Sequence, residues 1–165
     1  PNEILFEMNN ELKESNPAGV FVTSIVGRYN LKTDIVELAN AGHQPALLIN
    51  NNQFKEYTSN SMPLAVVKHR DESAYKLEKF SLNEGRIYCF TDGFSECQDE
   101  NKNEIGIDGV KKLILKHQNS SLQKELENAT EEIRLKSLKM NSNESGIKAD
   151  NEILDDDLTI IGIGK

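Results

Sequence analysis

Cys89-Phe90-Thr91-Asp92-Gly93-Phe94-Ser95-Glu96 is the stretch from which the rest of the chain can be ordered. The apolar run Ile87 to Phe90 stops at an aspartate, and a glycine follows at once. A buried strand delivers a carboxylate to the edge of a sheet in this way and then turns sharply. A carboxylate held there serves a metal, a proton or a hydrogen-bonded turn. For Asp92 alone, a turn aspartate before Gly93 is the plain reading. Toward the C-terminus, Asp155-Asp156-Asp157 leads directly into Leu158-Thr159-Ile160-Ile161-Gly162-Ile163, a second apolar strand. Taken singly, each of those acids is a solvated charge. Three adjacent carboxylates repel, however, and a shared cation relieves the repulsion if they converge. Two strands, each with an aspartate at one end, suggest a hard-cation site. With no Cys/His ligand cluster in the sequence, oxygen ligation favours Mg²⁺, Mn²⁺ or Ca²⁺ over zinc.

Outward from this stretch, the N-terminal half alternates strands and turns. Ile4, Leu5, Met8 and Leu12 share one helical face, with Asn2 a plausible N-cap and Asn16 to Gly19 the stop. Val20 to Val26 is nearly all apolar and predicts a strand buried on both faces. Asn30 to Asp34 is a turn, and Ile35 to Asn40 returns as a strand. Ala46 to Ile49 and Phe54 to Tyr57 form a hairpin about Asn50-Asn51-Asn52. Met62-Pro63-Leu64 is pinned to the core of an otherwise irregular stretch, and Tyr75 to Phe80 and Arg86 to Phe90 are further strands. After the acidic loop Glu96 to Glu104 the period changes. Val110, Leu113, Ile114 and His117 have helical spacing, and so do Leu122, Leu126, Ala129 and Ile133. The polar segment Asn141 to Asn151 is loop-like. A strand meander, two helices and one closing strand make an α+β pattern, without the regular alternation of a dinucleotide fold.

The chain has 165 residues, which suits one domain with a real core. Nineteen Lys and Arg against 27 Asp and Glu leave a net charge of −8. That balance argues against nucleic acid or an anionic membrane as the main partner. No apolar run approaches the ~20 residues that span a bilayer. Pro1-Asn2-Glu3 lacks the layout of a signal peptide, and two cysteines, Cys89 and Cys97, suit a reducing cytoplasm. No GxSxG elbow, P-loop or GxGxxG is present. His43, a lone histidine at a turn, reads as structural.

Five segments occur in an order and spacing that carry a resemblance: Asn16-Pro17-Ala18-Gly19-Val20-Phe21-Val22-Thr23, Ala39 to Leu48, Met62-Pro63-Leu64, Phe90 to Glu96, and Asp156-Asp157-Leu158-Thr159. Together the chain resembles the SpoIIE/RsbU branch of the metal-dependent PPM (type 2C-like) serine/threonine phosphatases of bacteria. The resemblance implies a four-layer α-β-β-α sandwich of two antiparallel sheets. It implies hydrolysis of phosphoserine or phosphothreonine on a protein, without a covalent phosphoenzyme, by water that a pair of Mn²⁺ or Mg²⁺ ions activates. Asp92 matches the metal aspartate of the family's Thr-Asp-Gly motif, with Gly93 beside it as a further candidate. Asp156 matches the aspartate that closes the site, and Asp157 is the fallback, because a one-residue shift swaps their faces. The implied substrate is a phosphorylated STAS-like anti-sigma factor antagonist, with a sensor or receiver domain upstream.

The family's domain also has earlier strands, which carry a first metal aspartate and an Asp-x-x-Gly-His-Gly segment, and no Gly-His-Gly occurs here. Residues 1–165 are therefore expected to be one partial phosphatase domain, the C-terminal two-thirds, lacking the N-terminal metal-binding strands. Two other readings compete: a non-catalytic module that keeps the fold and binds a regulator, and a plain acidic Ca²⁺-binding domain.

Overall fold

The computed structural model describes residues 1–16, 19–83, 85–99, 101–145 and 157–164, with the side chains of 137–145 excepted. The fold is α+β and contains two antiparallel sheets. The chain divides into two compact units, Pro1–Gly85 and Arg86–Lys165.

The first unit opens with helix α1 (Asn2–Ser15). Pro1 stands at its N-cap position and makes no side-chain cap, so Asn2 lies inside the helix. The buried face also departs from the apolar spacing. Leu5 and Asn9 are buried and Leu12 packs against the core, whereas Ile4 and Met8 are exposed. The polar Asn9 wins that place by bonding backbone. Its side chain accepts from the Ala65 N–H at 3.0 Å and donates to the Val67 carbonyl at 3.1 Å. A buried amide that replaces both of its water partners carries little penalty.

Strand β1 (Ser24–Asn30) pairs antiparallel with β2 (Ile35–Ala41), in register from Asn30↔Ile35 back to Ser24↔Ala41. Val20 to Thr23 are therefore not part of the strand expected there. Pairing runs backward from the Asn30 turn and stops at Ala41, where Gly42 takes φ +69° and breaks β2. Val20, Phe21 and Val22 are exposed, and only an isolated bridge ties Val22 to Leu64. Strand β5 (Glu78–Ser81) adds to the other side of β2. It begins later than the Tyr75 start expected for it. Asp71 accepts the Ser73 N–H and winds residues 72–74 into a 3-10 turn, which Tyr75 closes. Strands β3 (Ala46–Asn50) and β4 (Gln53–Tyr57) form the expected hairpin, with Asn51 and Asn52 at positive φ. Leu64 is fully buried, but Met62 is 53% exposed, so only part of Met62-Pro63-Leu64 is pinned.

The second unit begins with β6 (Arg86–Phe90), followed by the one-turn helix α2 (Asp92–Ser95). Helices α3 (Gly106–His117) and α4 (Leu122–Ser145) come next, and β7 (Ile160–Gly164) closes the unit antiparallel to β6. Val110, Leu113 and Ile114 of α3 and Ala129 and Ile133 of α4 are buried, as their spacing predicts. Residues 141–145, expected in a loop, continue α4. Extending an existing helix costs far less than nucleating one, so a polar tail can follow a packed helix. The rest of that expected loop, 146–151, lies outside the described residues. No helix among the described residues is long and apolar enough to cross a membrane.

Candidate functional site

Strand β6 delivers Asp92 to the sheet edge as its sequence predicts. Its end is then fastened to the segment that leads into β7. The Thr91 N–H donates to the Thr159 carbonyl at 3.0 Å. The Thr91 hydroxyl donates to the Asp157 carbonyl at 2.8 Å and accepts from the Thr159 N–H at 3.0 Å. Thr91 stands at the N-cap of α2 but does not cap it, because its hydroxyl is committed across the strands. Helix α2 is held instead by the Glu96 N–H on the Asp92 carbonyl at 2.8 Å and by Phe94, which is fully buried.

Gly93 makes the approach possible. A Cβ on it would stand 2.9 Å from the Asp157 carbonyl oxygen and 3.1 Å from Leu158 Cδ2. Only a residue without a side chain lets the two backbones lie that close. Asp92 itself is exposed, and among the described residues its carboxylate takes no hydrogen bond or ion pair. Asp157 is exposed beside it. Asp156, the first choice from the sequence, lies outside the described residues.

The donors at this end of the sheet suit a hard cation. Burial pushes the Cys89 thiol up to about 11, so it stays protonated at neutral pH and offers no thiolate. His117 is engaged elsewhere, with Nε2 at 3.0 Å from Glu132. The Asp92 carboxylate and the Asp157 backbone carbonyl at Gly93 supply oxygen alone, the donor class of Mg²⁺ and Mn²⁺. Among the described residues no group of three or more His, Cys, Asp or Glu converges.

Beyond α2, residues 97–99 fold back onto residues 101–105. The Asp99 carboxylate accepts the N–H groups of Asn101 at 2.8 Å and Asn103 at 3.0 Å, and the Ile105 N–H reaches the Cys97 carbonyl at 2.8 Å. The backbone donors of Asn103 and Asn101 hold the Asp99 carboxyl below the ordinary range. This acidic loop spends Asp99 on its own turn.

In the first unit, Asn40, Gly42 and His43 build a turn, and His43 is structural there. The Asn40 side chain accepts from the His43 N–H at 2.8 Å and donates to the carbonyls of His43 and Gln44, each at 3.2 Å. Ser59 Oγ accepts the Gly42 N–H at 2.8 Å and donates toward the Asn40 carbonyl at 2.9 Å. His43 Nδ1 sits 3.0 Å from the Thr23 hydroxyl.

Two contributors went unnoticed in the sequence. Thr91 had a signal, since a threonine beside Asp92 faces Thr159 beside the C-terminal acids. Glu125 had a weaker one, as an acid inside the stripe Leu122, Leu126, Ala129. It is 1% exposed, pairs with Arg86 and accepts the Tyr88 hydroxyl at 2.7 Å.

Comparisons with known proteins identify relatives of the chain. Phosphoserine phosphatase RsbU of Bacillus subtilis is 28% identical over 131 residues, which cover 78% of this chain and 38% of RsbU. The SiaA-PP2C domain of Pseudomonas aeruginosa superposes with a TM-score of 0.70 at 14% identity, over 98% of this chain and 58% of that domain. The structure of the RsbU and RsbW domains of a Mycobacterium tuberculosis protein gives a TM-score of 0.60 at 16% identity, over 93% of this chain and 38% of that one. At those identities the structural matches establish the fold, which is that of PP2C domains. The chain spans well under two-thirds of the length of each relative. The family model of stage II sporulation protein E (SpoIIE) matches residues 1–164, and the chain belongs to that family.

Proposed function

We propose that this chain forms the C-terminal part of a metal-dependent protein serine/threonine phosphatase domain. In the full-length protein the domain would be a four-layer α-β-β-α sandwich acting on phosphoserine or phosphothreonine of a cytoplasmic signalling protein. The observation that carries the reading is the placement of Asp92. Its carboxylate is exposed and unpartnered among the described residues, and Thr91 holds it against the segment that ends the acidic run. Membership of the SpoIIE family and the likeness to a phosphoserine phosphatase support the same chemistry.

Asp92 and Asp156 would hold Mn²⁺ or Mg²⁺, with Asp157 the alternative to Asp156 and Gly93 making the close approach possible. Two such ions in the full domain supply Lewis acidity toward the phosphoryl oxygens and lower the pKa of water. The residues of this chain do the positioning. Thr91 fixes the separation of the two strand ends, and Gly93 keeps the space between them free of side chain. Exposure of Asp92 leaves the site open to a substrate as large as a protein. The likeness to a phosphoserine phosphatase supports a phosphoprotein substrate, for which a STAS-like anti-sigma factor antagonist, with control by an upstream sensor or receiver domain, is the class we propose.

The test is phosphate release from a phosphorylated antagonist protein by the full-length protein with Mn²⁺. Release by the wild type and its loss in Asp92→Asn supports the reading. Full activity in Asp92→Asn overturns it. So does tight binding of the phosphoprotein with no phosphate released, which would identify a non-catalytic binding module.

A further inference from the structure

The second unit contains a buried polar cluster that the site chemistry does not use. Glu125 of α4 is an acidic side chain that is only 1% exposed. It pairs with Arg86 at the start of β6 and accepts the hydroxyl of Tyr88 in the middle of that strand at 2.7 Å. Arg86 also donates to the carbonyls of Gln118 and Ser120, each at 3.3 Å, and so closes the connection between α3 and α4. Burial and the neighbouring Glu125 carboxylate push the Tyr88 phenol up, which keeps it the donor. An apolar trio of the same volume would often be at least as stable as a buried ion pair. What such a pair adds is discrimination between registers, because a slipped strand leaves a charge buried alone.

The same helix face meets β7. A Cβ on Gly162 would lie 2.9 Å from Leu122 Cδ1 and 3.4 Å from the δ-carbons of Leu126. Tyr88 and Gly162 are direct cross-strand partners. One turn of α4 therefore grips a large polar residue on β6 and its small neighbour on β7. Sliding β7 by one residue would put Ile161 or Ile163 where only glycine fits. The strands so gripped are those that run into Asp92 and out of the acids ending at Asp157.

We propose that the Arg86–Tyr88–Glu125 cluster is a register lock, with Glu125 a positioning residue that fixes the register in which Asp157, in the lead of β7, meets the Asp92–Gly93 turn. The proposal rests on the reading of Asp92 as a metal ligand. Because side chains alternate along a strand, a slip of one position would turn the Asp157 side chain to the other face.

The experiment compares variants of the full-length protein by free-Mn²⁺ electron paramagnetic resonance and by amide hydrogen exchange. Tyr88→Phe removes the contact to the strand centre and keeps the ring. Val110→Ala, a cavity variant in the buried face of α3, serves as the stability control. Tyr88→Phe is expected to weaken Mn²⁺ binding about 10-fold, the size of an outer-shell defect, and to speed exchange of the Thr91 and Thr159 amides. Val110→Ala should leave both unchanged at a comparable loss of Tm. Glu125→Gln is the second variant and should move both readouts in the same direction as Tyr88→Phe. Wild-type affinity and exchange in both lock variants overturn the proposal, as does an equal loss of affinity in Val110→Ala. Asp92→Asn separates the two claims. Loss of Mn²⁺ binding there keeps the site reading whatever Tyr88→Phe does, and unchanged binding sinks that reading together with the lock.

Discussion

Two turns of this molecule begin alike and end differently. Asn40-Ala41-Gly42-His43 leaves β2, and Thr91-Asp92-Gly93-Phe94 leaves β6. Each puts a polar side chain at the end of a buried strand and a glycine two or one positions later. In the first, the polar side chain is 5% exposed and makes three hydrogen bonds with backbone, and Gly42 lies under Pro63. In the second, the carboxylate is exposed and unpartnered among the described residues, and Thr91 does the fastening. A polar group whose bonding capacity is spent on the fold is architecture. One that the fold places carefully and then leaves unspent is available for a ligand.

The contrast breaks most easily at Asp92. Asp92→Asn should weaken Mn²⁺ binding by at least ~100-fold, more than loss of an outer-shell partner costs. Its stability should stay within about 0.5 kcal/mol of wild type, as for other exposed positions. Calorimetric titration and thermal melts measure the two effects. A large loss of Tm with unchanged Mn²⁺ binding would make Asp92 a structural turn residue and erase the distinction.

Substitutions in the other turn should show the reverse. Gly42→Ala must hold a side chain at φ +69° with its Cβ 2.5 Å from Pro63 Cγ. Left-handed backbone and overpacking together cost ~3 kcal/mol. Asn40→Ala leaves the His43 N–H without its buried acceptor, which costs ~2 kcal/mol. Chemical denaturation should report both losses, and Mn²⁺ affinity measured below the melt should be that of the wild type.

How far the sequence could be followed depends on whether a segment's neighbours were local. The β3–β4 hairpin, β6 and the buried faces of α3 and α4 were legible, because alternation, helical spacing and turn residues act within a few positions. Asp92 at the edge of β6 was legible for the same reason. Val20 to Val22 were not. Their apolar character predicts a buried strand, but the register of β1 is set by the Asn30 turn and by where Gly42 ends β2. Asn9 was hidden as well, since its partners Ala65 and Val67 lie more than 50 residues away. At the site the acids could be read but the stitch between them could not. Thr91 bonds residues 66 and 68 positions distant.

Gly93→Ala sharpens the comparison at a smaller scale. Gly93 has no positive φ, and its constraint is the Asp157 carbonyl at 2.9 Å. The added methyl should push the lead of β7 away from β6 and lower Mn²⁺ affinity about 10-fold, with a stability cost of ~1 kcal/mol from overpacking. The two glycines should therefore split, Gly42→Ala acting on the melt and Gly93→Ala acting more on the metal. Equal effects on both readouts would mean that the two turns do the same work.

Ala65 offers a third turn and the smallest effect. It holds φ +67° while 6% exposed, with its N–H on Asn9 and its carbonyl accepting from Lys13 Nζ at 3.1 Å. Ala65→Gly would relieve ~1–2 kcal/mol of left-handed strain. Against that stand ~0.5–1 kcal/mol of extra chain entropy lost by glycine and ~0.8 kcal/mol for the buried methyl. The terms nearly cancel, so the variant should melt within about 0.5 kcal/mol of wild type. Asn9→Ala, which strands the Ala65 N–H and the Val67 carbonyl, should cost ~2 kcal/mol at the same turn. A gain above ~1 kcal/mol for Ala65→Gly would show strain outweighing the methyl and the entropy together, and this turn would then belong with the constrained Gly42 and not with the hydrogen-bonded Asn40.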